Sequence, residues 1–314
     1  LSSSSAASDV YKRQDISRLY TVAKRFESQP VGSIIKSFWS NVTAKPFLAI
    51  SFLLATVAMA LCYRVFIRRI TAISSSVNGS NAMRLWPTIQ AVCFTVCASL
   101  PVWLALSAVA WFLGRYAEPE STEASIANGL WVAGLVFLPL EILRQLIRPH
   151  GVATAHFGWP ELVIKPLGQA VRRIGWVGLT LVFLATFLLL ERYVHREISA
   201  LARIIFAILM LFIAGTLWRL LDKKSGVVAG LRATQPDSLI ARFEWIWRPF
   251  LIVIPIVLAG LSLSGYAYAA GQLTISLYQT IWLVVATAVL QGIAERWLLV
   301  SKRRIALRLS LIHI

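Results

Sequence analysis

Seven apolar runs dominate this chain, at 46–63, 86–113, 126–143, 174–190, 204–218, 249–266 and 276–294, and together they contain one formally charged residue, Glu141. Crossing the hydrocarbon core takes about 20 apolar residues, because an α-helix rises 1.5 Å per residue through about 30 Å of lipid. The run at 204–218 is short, but Arg203 and Arg219 flank it. Their stems extend the apolar length while their heads reach the interfaces. No charge occurs between Arg248 and Glu295. That is too long for one span, and "SGYAYAAGQ" at 264–272 supplies the glycines of a reversal, which predicts a helical hairpin. The expected fold class is therefore all-α, a polytopic membrane protein with about seven transmembrane helices. Its composition agrees: 58% of residues are hydrophobic and 14% charged, with a mean hydropathy of +0.70, where soluble domains carry about 25% charge.

The net charge of +17 would suggest a nucleic-acid partner in a soluble protein. In this one its placement points to the membrane, and no nucleic acid is expected. Loops that follow odd-numbered spans, 64–85, 144–173, 219–248 and 295–308, hold 20 Lys and Arg against 5 acidic residues. The opposite set, 114–125, 191–203 and 267–275, holds 4 against 5. The positive-inside rule assigns the first set to the cytoplasm, with the N-terminus outside and the C-terminus cytoplasmic. Residues 15–45 disagree, with five basic and two acidic residues on the outer side. Long translocated domains escape the rule, so this segment is expected to end a periplasmic domain. Trp86, Trp111, Trp218, Trp245, Trp247 and Trp297 stand near predicted span ends, as in an aromatic belt.

Both ends look foreign. "DVYKRQ" within residues 1–14 and "LSLIHI" at 309–314 resemble translated sequencing-adapter read-through of the kind found in assembled environmental reads. Residues 1–14 and 309–314 are therefore expected to be non-native, and 46–308 to form the membrane domain.

Chemistry-bearing constellations are sparse. Cys62, Cys93 and Cys97 lie in apolar runs without a C-x-x-C, and His150, His156, His195 and His313 have no ligand spacing, so neither metal nor cofactor is expected. No phosphate loop, zinc-protease, nucleophile-elbow or dinucleotide signature occurs, and no catalytic residue is assigned. Glu141 and Arg144 are spaced for a local ion pair on one helix. Gly129 with Ala133, and Gly260 with Ser264, permit close helix approach. Pro101 and Pro255 fall inside spans, where each predicts a kink. Three basic collars, Arg64, Arg68 and Arg69; Lys223 and Lys224; and Lys302, Arg303 and Arg304, serve orientation and are candidate contacts to lipid headgroups.

Two stretches carry a family resemblance: "RPHGVATAHFGWP" at 148–160, with Gly151, His156, Phe157 and Trp159, and "RWLLVSKRRIAL" at 296–307. Both resemble the extra inner-membrane domain of large mechanosensitive channels of the MscS superfamily, the MscK (KefA) type and its miniconductance relatives. "RFEWIWRPFLIVIPIVLAGLSLSGYAY" is similar to the late hairpin of that family. The resemblance implies a bacterial inner-membrane protein. It also implies a homo-heptamer in the full-length channel, membrane lipids as partners, and a pore beyond the C-terminus of a fragment such as this. It assigns no catalytic or binding duty to His156, Phe157 or Trp159; their aromatic rings suit an interfacial anchor. The function expected is tension coupling in osmotic protection. The rivals are a secondary transporter, which predicts internal repeats and midplane polar groups, and a membrane-embedded lipid-modifying enzyme with 144–173, including His150, His156 and Glu161, as its active face.

Overall fold

The computed structural model describes residues 31–76, 85–118, 121–149, 151–194, 199–234 and 242–312. Residues 1–14, most of 15–45 up to residue 30, His150 and His313 lie outside them. The described elements are helices: α1 Val31–Ala44, α2 Pro46–Ser76, α3 Trp86–Gly114, α4 Thr122–Leu146, α5 Val152–Ala155, α6 Glu161–Arg173, a π-helical turn Ile174–Gly178, α7 Leu179–Val194, α8 Ser199–Leu220, α9 Val227–Thr234, α10 Glu244–Leu263 and α11 Ala267–Ile312. Among the described residues seven helices are long and apolar enough to cross a membrane: Pro46–Ser75, Trp86–Gly114, Thr122–Leu146, Glu161–Leu190, Ala200–Leu220, Glu244–Leu263 and Ala267–Lys302.

Six of the seven expected runs sit inside one of these helices, several of which overrun it, while the run at 249–266 extends three residues past Leu263, where its helix ends. Hydropathy marks the part of a helix that lipid demands, whereas helix ends are set by caps and turns. Thus α2 carries the basic collar Arg64, Arg68 and Arg69 within its own length, all three exposed. Span four begins with amphipathic α6, before its apolar run. The hairpin reverses in three residues, not nine. Gly265 takes φ +98°, its N–H donates to Ser262 O at 3.2 Å, and the Tyr266 N–H donates to Leu261 O at 3.0 Å. This is a Schellman closure, in which a left-handed glycine caps the last carbonyls of α10. At the other kind of boundary, Ser121 accepts from the Ala124 N–H at 3.2 Å and starts α4.

The spans pack in chain order, α2 on α3, α3 on α4, α4 on α7, α7 on α8, α8 on α10, and α10 on α11. Small residues set the spacing: a Cβ on Gly129 would stand 3.1 Å from the Phe183 ring, so α4 receives that ring against bare backbone. Gly260, by contrast, meets nothing within 4 Å. Cys62 and Cys93 are exposed. Both Pro101 and Pro255 lie within continuous helices. In α2 and α11 no residue of the most apolar 18-residue window is buried within the chain, against 22–39% in the five spans between. The array therefore offers its first and last helices almost wholly to lipid or to other chains.

Glu141 and Arg144 do pair, as a two-point fork with Nε–Oε2 and Nη2–Oε1 both 2.6 Å. Gln145 also donates to Glu141 Oε1 at 2.7 Å and to the Tyr63 hydroxyl at 3.2 Å, which ties α4 to α2. The Glu141 side chain is 8% exposed. The Arg144 side chain is 53% exposed, so the pair is buried on the Glu141 side only, and Gln145 still donates to Glu141 when the arginine is removed. Arg144→Ala should thus lower stability by about 1–2 kcal/mol, and Arg144→Lys, which keeps the charge but loses the fork, by less. Unfolding of the purified variants in micelles measures both.

Candidate functional site: the connector between α4 and α6

Residues 147–149 and 151–160 fold into a compact cap on one end of the bundle. Gly151 starts the four-residue α5, and its N–H donates to Arg148 O at 2.8 Å. A Cβ there would lie 2.7 Å from Arg148 O and 2.8 Å from Leu146 O, so the turn requires glycine. Val152 and Ala153 are fully buried, and the Trp159 N–H donates to Ala153 O at 2.9 Å. Gly158 sits at φ +66°, the left-handed region that glycine enters without steric cost.

His156 is 6% exposed, and its Nδ1 lies 2.9 Å from Thr88 Oγ1 at the start of α3. Burial, and then the Arg296 guanidinium on α11, push its pKa down to about 4. Phe157 rests on Gly292 of α11, where a Cβ would stand 2.8 Å from two ring carbons. Its ring centroid is 6.4 Å from that of Trp159. Both aromatics are half-buried and pack on a core of Ala91, Leu143, Leu146, Ile147, Val152, Ala153, Ile164 and Val171. Ile73 of α2 and Trp282, Val285 and Val289 of α11 join the same cluster. One connector thus touches or shares a core with spans one, two, three, four and seven.

This end also gathers the four basic segments. Arg148 Nη1 donates to the Tyr63 hydroxyl, midway along α2, at 3.3 Å, and Thr88 and Arg296 meet at His156. A Cβ on Gly230 would lie 2.8 Å from Val163, so α9 packs on the backbone of α6. Lys223, Lys224 and Lys302 are exposed, like Arg64, Arg68 and Arg69; the side chains of Arg303 and Arg304 lie outside the described residues. Asp222 accepts from the Ser225 hydroxyl at 2.8 Å and from the Ser225 and Lys224 N–H groups, and these bonds lower its pKa. The asparate loop so formed holds the two lysines at the end of α8. Sequence reasoning missed Thr88, Gly292 and Arg296 as partners of the motif. A glycine interrupting the apolar run of α11 was the available signal for Gly292.

The family model for the mechanosensitive ion channel inner membrane domain 1 matches residues 46–311. The chain belongs to that family. It is a multi-pass inner-membrane protein of the MscS superfamily. Two similar proteins are the miniconductance mechanosensitive channel MscM of Escherichia coli K12, 24% identical over 77% of this chain, and the mechanosensitive channel MscK of the same organism, 25% identical over 71%. The chain spans about a fifth of those relatives, 21% and 19% of their lengths. No solved structure gives a significant match.

The connector of this MscS-superfamily domain makes two predictions. His156 ordinarily titrates near 6.5 and is held neutral here down to about 4. The unfolded chain therefore binds the extra proton first, so its stabilising effect is full above pH 6.5 and is lost as pH falls toward 4. Acidification from pH 7 to 5 should cost roughly 2 kcal/mol in wild type. The non-titrating His156→Asn should show a flatter profile in the same thermal melts. Separately, Gly292→Ala should drive Phe157 off α11 and destabilise by about 1–3 kcal/mol. Adding Phe157→Ala should then cost less than it does alone, a coupling that a double-mutant cycle measures.

Proposed function

We propose that this chain is the peripheral membrane domain of a mechanosensitive channel, coupling bilayer tension to a pore that lies beyond its C-terminus. The match of an inner-membrane-domain family to 46–311 carries this reading. The nearly unburied first and last spans support it, because a sensor of the bilayer must present its helices to lipid. In this reading the connectors of the basic set face the cytoplasm, residues 15–45 close a periplasmic domain, and the full-length channel is a homo-heptamer. The domain itself catalyses nothing. The exposed collars at Arg64, Arg68 and Arg69, at Lys223 and Lys224, and at Lys302, with Arg303 and Arg304, bind headgroups and keep the helices registered to the surface.

Tension favours whichever state occupies more membrane area, and it acts only on an element with two packings. The packed series from α2 to α10 supplies such an element: helices that touch mainly their neighbours in sequence can spread without unfolding. Spin labels on α3 and α8 in proteoliposomes should therefore move apart when osmotic swelling stretches the bilayer. An unchanged distance distribution overturns tension coupling. Patches of the same liposomes should pass no current, and a tension-gated current would refute the placement of the pore.

A further inference from the structure

A cavity of about 300 Å³ opens where the end of α8 meets the start of α10. That volume is at the lower limit of ligand sites, about 300–1,000 Å³, and suits a headgroup better than a whole lipid. Lys223 and Arg248 line it, with Glu244, Trp218, Trp245 and Ile252. Arg248 brings a buried Nε that makes no hydrogen bond among the described residues. Glu244 is 2% exposed, and its Oε2 is paired with Arg232 Nη2 at 2.6 Å. Both of its oxygens are buried and accept no hydrogen bond among the described residues, so Oε2 is held by the ion pair alone and Oε1 stands open.

The charges decide what fits. Arg232 neutralises Glu244, so Lys223 and Arg248 present two positive charges that the cavity does not balance. A buried guanidinium N–H without an acceptor is costly, and a phosphate oxygen is the acceptor that matches its geometry and charge. The position along the membrane agrees. Trp218 lies in the last turn of α8 and Trp245 in the first turn of α10, 61% and 73% exposed, at the depth where indole rings sit among headgroups. Below them Ile252, and the outward-facing Phe250 and Val253, continue as an apolar wall along α10.

We propose that this cavity binds the phosphodiester of an anionic phospholipid whose headgroup carries a hydroxyl, as phosphatidylglycerol does. The phosphate accepts from Arg248 and Lys223, and the headgroup hydroxyl donates to Glu244 Oε1. An ammonium headgroup would instead place a fourth cation beside Arg232, Lys223 and Arg248, and a choline offers no hydrogen-bond donor. The proposal rests on the membrane placement of α8 and α10 and not on tension coupling, so the two readings fail separately.

Native mass spectrometry of the 314-residue chain, released from micelles containing one lipid at a time, tests it. Phosphatidylglycerol should be retained about tenfold better than phosphatidylcholine or phosphatidylethanolamine, the worth of one charge-assisted hydrogen bond. Lys223→Gln and Arg248→Gln should each remove about that factor for phosphatidylglycerol alone. Lys223 is exposed, so its variant leaves the packing intact even if the Arg248 variant does not. Lys165→Gln, which deletes an equal charge elsewhere at this end, should change nothing. An equal loss from Lys165→Gln would mean diffuse surface attraction and overturn the site. Equal retention of phosphatidylethanolamine would overturn the charge argument. Displacement of the lipid by millimolar inorganic phosphate would overturn the lipid assignment in favour of a solute anion.

Discussion

Water does not reach the hydrocarbon core, so every backbone N–H and C=O there must be satisfied by the chain itself. Most of this structure follows from that requirement. Seven helices meet it internally, and what remains for the sequence to decide is how their ends are joined and how closely they approach. The ends are where the specific interactions gather. The Schellman closure at Gly265 and the Ser121 cap satisfy groups that a helix terminus leaves open, and the Gly151 turn and the Asp222 loop satisfy groups in the connections between helices.

Within lipid the hydrophobic effect gives helices no reason to prefer one another over acyl chains, so close packing and polar links must hold them. The two kinds of link occur side by side. Phe183 against Gly129 and Phe157 against Gly292 are steric fits, each made by a missing Cβ. Tyr63, Glu141, Arg144, Gln145 and Arg148 form a polar chain between α2 and α4. The connector adds a third kind, because its buried residues form a soluble-type core at the bundle end. There the ordinary drive to remove apolar surface from water applies again. Spans that associate weakly in the bilayer are thus fastened where they emerge.

How much of this was legible in the sequence differs between periods and contacts. The helices and the span count were legible, since apolar runs flanked by arginine and tryptophan have few physical solutions. Glu141 with Arg144 was legible too, because three residues on one helix bring side chains together. His156 with Thr88, and Arg232 with Glu244, were not: the first pair is 68 residues apart, and no periodicity links either. Gly292 and Gly260 look alike in sequence, each a glycine in an apolar helix, yet one receives an aromatic ring and the other meets nothing within 4 Å. Only the path of the neighbouring chain separates them. The site on α8 and α10 was half visible, through Lys223 and the tryptophans, while the part played by Arg248 needed the fold.

The π-helical turn Ile174–Gly178 joins amphipathic α6 to apolar α7 without a break. One residue more than an α-helix needs is stored there. Since each α-helical residue turns the chain by about 100° and advances it 1.5 Å, that surplus acts as a gear tooth. Passing it along the helix would rotate one segment's face relative to the other by about a quarter of a revolution without unwinding either. In span four the surplus residue offsets the face of the part that meets the interface from that of the part that meets lipid.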